Sequence, residues 1–179
     1  MLFGALIGYF AAEMLIHKSF RVFKQGWWGC CVSLCVVLAL CGCLQIDLFG
    51  TFVCAREFGK EMIKANYGRV INIASMYGLV GNMIVGSAPY HAAKGGVVNL
   101  TRALAAEWGK YGVTVNAICP GYFYTDLTTA TLDSDYFQAI AKSNIPLQRY
   151  GKAGELDTCA LFLASPCSTY VNGQNMAVD

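Results

Sequence analysis

Two hydrophobic patterns meet near residue 46. Up to that point the apolar residues come in unbroken runs. Residues 1–12 carry no charge, and the run continues to Ile16 with Glu13 as its only interruption. Residues 27–46, WWGCCVSLCVVLALCGCLQI, contain no charged side chain. A run of that length matches the roughly 20 residues that cross a bilayer core, and Trp27 and Trp28 at its start suit an interfacial belt. Between the runs lie Lys18, Arg21 and Lys24. From Asp47 onward the pattern becomes periodic. In DLFGTFVCAREFGKEMIKAN, Phe52, Ala55, Gly59 and Met62 recur at helical spacing, and Asn66 and Gly68 punctuate the end. VINIA is a short β-branched run of the kind buried on both faces of a parallel sheet. A loop rich in Gly from Ser75 to Ser87 leads to a long helix, from about Pro89 to Lys110. Pro89 suits its first turn, and Val97, Leu100, Leu104 and Trp108 form its apolar stripe. VTVNAI is the next strand, broken at Pro120-Gly121. Tyr122 to Pro146 shows no clear period and is expected to be mobile. Glu155 to Ala164 reads as a last helix and Asn175 to Val178 as a last strand.

Alternating strands and helices imply a parallel sheet with right-handed crossovers. The expected organisation is therefore two parts. Residues 1–46 form an apolar helical segment, a candidate transmembrane hairpin or a leader of separate origin. Residues 47–179 form an α/β part. Charge placement argues for the separate origin. The positive-inside rule puts the loop at 17–26 in the cytoplasm, so the second span would deliver residue 47 to the opposite side.

Composition sharpens this division without changing it. Hydrophobic residues make up 56% of the chain and charged residues 13%, against roughly 25% charged in ordinary soluble domains. The net charge of +2 and the lack of a basic stripe argue against nucleic acid. Of nine cysteines, five fall between Cys30 and Cys43. No CxxC pair occurs and both histidines lie apart from the cluster, so no metal site is expected. Free cysteine packs as a small hydrophobe, and Cys54, Cys119, Cys159 and Cys167 read as reduced thiols.

The strongest chemical signal is Tyr90-His91-Ala92-Ala93-Lys94. Tyrosine and lysine four residues apart share one helix face. A phenol ordinarily titrates near pH 10, too high for a base at neutral pH. An adjacent ammonium favours the phenolate, and such a phenol can exchange a proton with a hydroxyl or carbonyl oxygen. Ser75 stands at the carboxyl end of an expected parallel strand, where α/β sheets place their sites. The alternative for Ser75 is a turn or capping serine.

GRVINIAS, PYHAAKGGVVNLTRALAAEWGKYGVTVNAICPGYFYTDL and LASPCSTYVNGQNMAVD resemble, in that order, the classical short-chain dehydrogenase/reductase family, most nearly its gluconate 5-dehydrogenase and 3-oxoacyl-carrier-protein reductase branches. The resemblance covers residues 47–179. It implies the C-terminal part of a Rossmann-like, doubly wound parallel sheet keeping about three strands. It also implies an oxidoreductase that uses NAD or NADP and a small-molecule secondary alcohol or ketone. Tyr90 would be the general acid/base. Lys94 would assist it and, with Tyr90, hold the nicotinamide ribose. Ser75 would polarise the substrate oxygen. Pro120, Gly121 and Thr125 would line the nicotinamide pocket, with Ala74 and Tyr122 as minor walls. Intact members would be homotetramers paired through the helices at 47–65 and 89–110, and the catalytic part would be cytoplasmic. Two departures stand out. The family's catalytic asparagine corresponds to Asp47, whose ordinary reading is a helix N-cap. And residues 1–46 contain no glycine-rich turn of the kind that holds a pyrophosphate. The competing expectation is thus an inactive, membrane-associated or chimeric fragment whose sheet has an open, aggregation-prone edge.

Overall fold

A computed structural model describes residues 38, 40–82, 84 and 86–179. The first apolar run, the basic loop and most of the second run lie outside the described residues. Among the described residues no helix is long and apolar enough to cross a membrane. Gly42–Asp179 forms one compact unit.

The backbone is already helical at Gly42 and Cys43 and widens into a π-type turn over Leu44–Phe49. Helix α1 follows at Gly50–Ala65, closed by Asn66 in the left-handed conformation at φ 50°. Asp47 is therefore not an N-cap. It lies inside helical backbone, where its carbonyl accepts a hydrogen bond from Thr51 Oγ1 at 2.7 Å. Strand β1 is Gly68–Ile73 and helix α2 is Ala88–Trp108, with proline in its first turn as expected. Strand β2 is Val113–Pro120, and β3 is Asn175–Val178. The three strands form one parallel sheet in the order β1-β2-β3. That matches the expected α/β architecture and its three strands.

β2 is buried along its whole length up to Cys119, as a central parallel strand should be. Successive side chains face opposite ways, so Val113, Val115, Ala117 and Cys119 share one face. Val113 and Val115 pack under α1 and α2 against Ala55, Leu104 and Ala105, while Ala117 and Cys119 meet Ala74, Val97 and Val98. Helix α5, Asp157–Ala164, packs on β1 and β2. The approach of α1 to α2 depends on Gly59. A Cβ there would lie 2.5 Å from the Trp108 ring. Gly59→Ala is expected to lower stability by about 1–3 kcal/mol through overpacking, read from the urea midpoint at unchanged slope. No loss would mean that the Trp108 ring swings away freely.

β3 and the segment before it are held by side-chain amides, of which Asn116 is buried. Asn116 Nδ2 donates to the Val171 carbonyl at 2.8 Å, and its Oδ1 accepts the Gln174 N–H at 3.0 Å. Asn172 Oδ1 accepts the Val115 N–H at 2.8 Å and its Nδ2 donates to Ala105 at 3.0 Å. Residues 122–146, expected to be mobile, contain two helices: α3 at Thr129–Leu132 and α4 at Asp135–Asn144. They enclose a small core in which Leu132, Ala141 and Tyr150 are buried, with Tyr122, Tyr124, Phe137 and Ile145 around them. On the other side of the sheet, β1 pairs only with β2 among the described residues. Along its free edge runs a groove of about 510 Å³, and Ile73 and Phe58 beside it are more than half exposed.

Candidate active site

β1 ends at Ile73, and the Ala74 N–H donates to the Ile118 carbonyl at 2.9 Å, which holds the strand's exit level with the end of β2. Ser75 follows in extended conformation and opens a 3₁₀ turn, Met76–Gly78. Its Oγ accepts the Tyr77 N–H at 3.2 Å. The capping role expected as the alternative is therefore present. It uses a lone pair and leaves the hydroxyl proton to donate. Ser75 is 7% exposed. Beside it lies the fully buried Cys119, whose thiol is pushed up by burial, against a hydrogen bond with the Ser75 backbone. That thiol stays neutral and packs as an apolar group.

α2 brings Tyr90 and Lys94 to the same place. The Lys94 ammonium lies 5.6 Å from the centre of the Tyr90 ring. It donates to the Ile73 carbonyl at 3.2 Å, two residues before Ser75. It also meets Asp47 Oδ1 at 3.1 Å, with the lysine side chain 11% and the aspartate 25% exposed. Lys94 thus ties the π-type turn, the end of β1 and α2 together at one point. Tyr77, two residues after Ser75, stands edge-on to Tyr90 with ring centres 6.5 Å apart, and stacks on His91 at 4.7 Å. His91 Nδ1 lies 2.8 Å from the Ser87 carbonyl, which assigns the proton to that nitrogen. The Tyr77 and Tyr122 hydroxyls hydrogen-bond each other. Burial, and then that bond, push the Tyr77 hydroxyl well above the ordinary tyrosine range. It remains neutral at any working pH.

Pro120 closes β2 opposite Val178, and the Gly121 N–H donates to the Val178 carbonyl at 2.9 Å. Both residues stand at the carboxyl edge of the sheet, as does Ser75. Thr125 lies further on, in an exposed turn. Its N–H donates to Thr128 Oγ1 at 2.9 Å, and its hydroxyl is 2.9 Å from the same atom. Sequence reasoning missed Tyr77 and the Asp47–Lys94 pair. A tyrosine two residues after Ser75 carries no signal by itself, and Asp47 is separated from Lys94 by most of the α/β crossover.

The buried Ser75, the Tyr90-Lys94 face of α2 and the Pro120-Gly121 strand end thus lie at the carboxyl edge of one parallel sheet. Residues 41–179 match the family model described as enoyl-(acyl carrier protein) reductase. The chain is 39% identical over 136 residues to galactitol 2-dehydrogenase (L-tagatose-forming) of Cereibacter sphaeroides, covering 76% of this chain and 54% of that protein. It is 40% identical over 137 residues to a 3-oxoacyl-[acyl-carrier-protein] reductase of Synechocystis, covering 76% and 53%. Among solved structures it superposes on a gluconate 5-dehydrogenase from Burkholderia cenocepacia, in complex with NADP and tartrate. There the TM-score is 0.72 and the identity 38%, with 76% of this chain and 52% of the other covered. The chain belongs to the short-chain dehydrogenase/reductase family. It spans about half the length of these relatives.

The described residues fit one end of a nicotinamide cofactor. A nearly buried ammonium beside a phenol, at the carboxyl edge of the sheet, suits ribose hydroxyls and a nicotinamide ring. Among the described residues α2 follows β1 through the long loop 74–87, and not through the tight glycine-rich turn that a pyrophosphate requires.

Proposed function

We propose that residues 47–179 are the catalytic part of an NAD(P)-dependent oxidoreductase that interconverts a secondary alcohol and a ketone, of sugar-acid or 3-oxoacyl type. The observation that carries this reading is the placement of Tyr90 and Lys94 on one face of α2, with the ammonium anchored on Ile73 beside Ser75. A bound nicotinamide would supply or accept the hydride. Tyr90 gives a proton to the substrate oxygen in the reducing direction and takes it back in the oxidising one. The Ser75 hydroxyl donates a hydrogen bond to the same oxygen and so favours the charge that develops there. Lys94 faces the phenol with its charge and, together with Tyr90, would hold the ribose. Pro120, Gly121 and Thr125 would border the nicotinamide ring. In intact members α1 and α2 would be the surfaces that pair subunits.

Ser75→Ala is expected to lower kcat by about 10²-fold and to leave cofactor affinity unchanged, as read by ketone-dependent oxidation of NADPH and by fluorescence titration of the bound nucleotide. Equal kcat in the variant would leave Ser75 as a turn cap only. A second reading, a chain without activity by itself, is favoured by the free edge of β1 among the described residues. Saturable NADPH binding by the purified full-length chain supports the first reading, and its absence at millimolar nucleotide supports the second.

A further inference from the structure

A pocket of about 640 Å³ lies one ring away from Tyr90. That size suits a small organic ligand. Tyr77 is the shared wall: its ring meets Tyr90 edge-on, and it lines the pocket together with Tyr122. Val80 and Ile84 from the loop after β1 form one side, and Ile140, Ile145 and Leu147 form the other.

The polar groups at this pocket are largely engaged within the protein. The Tyr77 and Tyr122 hydroxyls hold each other. Asn82 Oδ1 accepts the Ile84 N–H at 2.8 Å, and Asn144 Oδ1 accepts from Ser143 at 2.8 Å. Among the described lining residues, the charged ones are Arg149, Glu155 and Asp179. Arg149 is not an open cation. Its two terminal nitrogens donate to the two oxygens of Glu155 at 2.8 and 2.7 Å, and it also donates to the Tyr150 carbonyl at 3.0 Å. Glu155 accepts the Lys152 N–H as well, at 2.7 Å. Its carboxyl is held down to about 2, by the Arg149 hydrogen bonds first and the Lys152 amide second. The guanidinium charge is cancelled where it stands, and Asp179 leaves the lining with an excess negative charge. An anionic ligand would meet like charge and lose hydration without gaining a free cation.

We propose that this pocket takes the uncharged, apolar body of a ketone or secondary alcohol and discriminates against a free carboxylate. The inference rests on the oxidoreductase reading, and it selects the acyl-like over the sugar-acid substrate class.

The test is saturation-transfer NMR on the full-length chain without cofactor, titrating octanone and, separately, gluconate. Octanone is expected to bind at least about tenfold more tightly than gluconate, with saturation along its alkyl chain. Val80 is 58% exposed, so Val80→Arg adds a cation without disturbing the core. It is expected to weaken octanone and to strengthen gluconate by about tenfold. Glu155→Gln, which releases Arg149, is expected to strengthen gluconate in the same direction. Gluconate binding to the unmodified chain as tightly as octanone overturns the proposal. So does the absence of octanone binding, or a gluconate affinity that neither variant changes. No turnover enters the measurement, so a pocket that prefers gluconate leaves the role of Tyr90 standing.

Discussion

Tyr90→Phe is expected to lower kcat by about 10²–10⁴-fold, the range general acid–base catalysis supplies, with substrate and cofactor affinities nearly unchanged. Phenylalanine keeps the ring that Tyr77 contacts edge-on and that Lys94 overlies. Only the exchangeable proton is removed. The loss should therefore appear in kcat and not in KM. The measurement is steady-state ketone reduction in the preparation in which the unmodified chain turns over, with circular dichroism as the control on folding. Turnover within about threefold of the unmodified chain would remove Tyr90 from the proton-transfer role. Serine or water would then have to donate, and the helix-face argument from Tyr90 and Lys94 would lose its chemical meaning.

Lys94→Met is expected to be costly in a different way. Lys94 has two partners, the Asp47 carboxylate at 3.1 Å and the Ile73 carbonyl at 3.2 Å. Methionine fills much of the same volume and pairs with neither. A part-buried carboxylate then stands without its cation, and a strand-end carbonyl without its donor. Removing one member of a buried pair costs about 3–5 kcal/mol, and the quarter exposure of Asp47 lowers the expectation to about 2–3 kcal/mol. Adding Asp47→Asn in the Lys94→Met background is expected to recover roughly half of that loss, because the uncompensated charge is gone. Urea unfolding of the single and double variants gives the coupling. Additive effects would mean that solvent screens the pair and that Lys94 is held by Ile73 alone.

The elements that were legible in the sequence share one property: their cores are periodic. β2 reads as VTVNAI because both its faces are covered, and the structure buries every residue from Val113 to Cys119. α2 shows its stripe because Val97 and Leu104 face the sheet at helical spacing. Residues 122–146 look mobile in sequence because their order comes from aromatic side chains at irregular intervals. Tyr122 packs on Tyr150 at 5.7 Å and on Phe137 at 6.2 Å, and Tyr124 packs on Tyr150 at 6.0 Å. Such a core has no period to detect, since its members come from two short helices and the turns between them.

The sequence by itself determined the chemistry of α2: tyrosine and lysine four residues apart must share a helix face wherever that helix lies. It also determined the parallel sheet, through strands that alternate with helices, and the place of Ser75 at a strand's end. Tertiary structure alone decided what Lys94 touches. The partner Asp47 comes from a π-type turn whose approach to α2 depends on Gly96, where a Cβ would lie 2.7 Å from the Leu48 side chain. A missing side chain on one helix and a widened turn on another set that distance. Neither has a local pattern that shows which surfaces will meet, because the contact exists only once α1 and α2 have packed on the same face of the sheet.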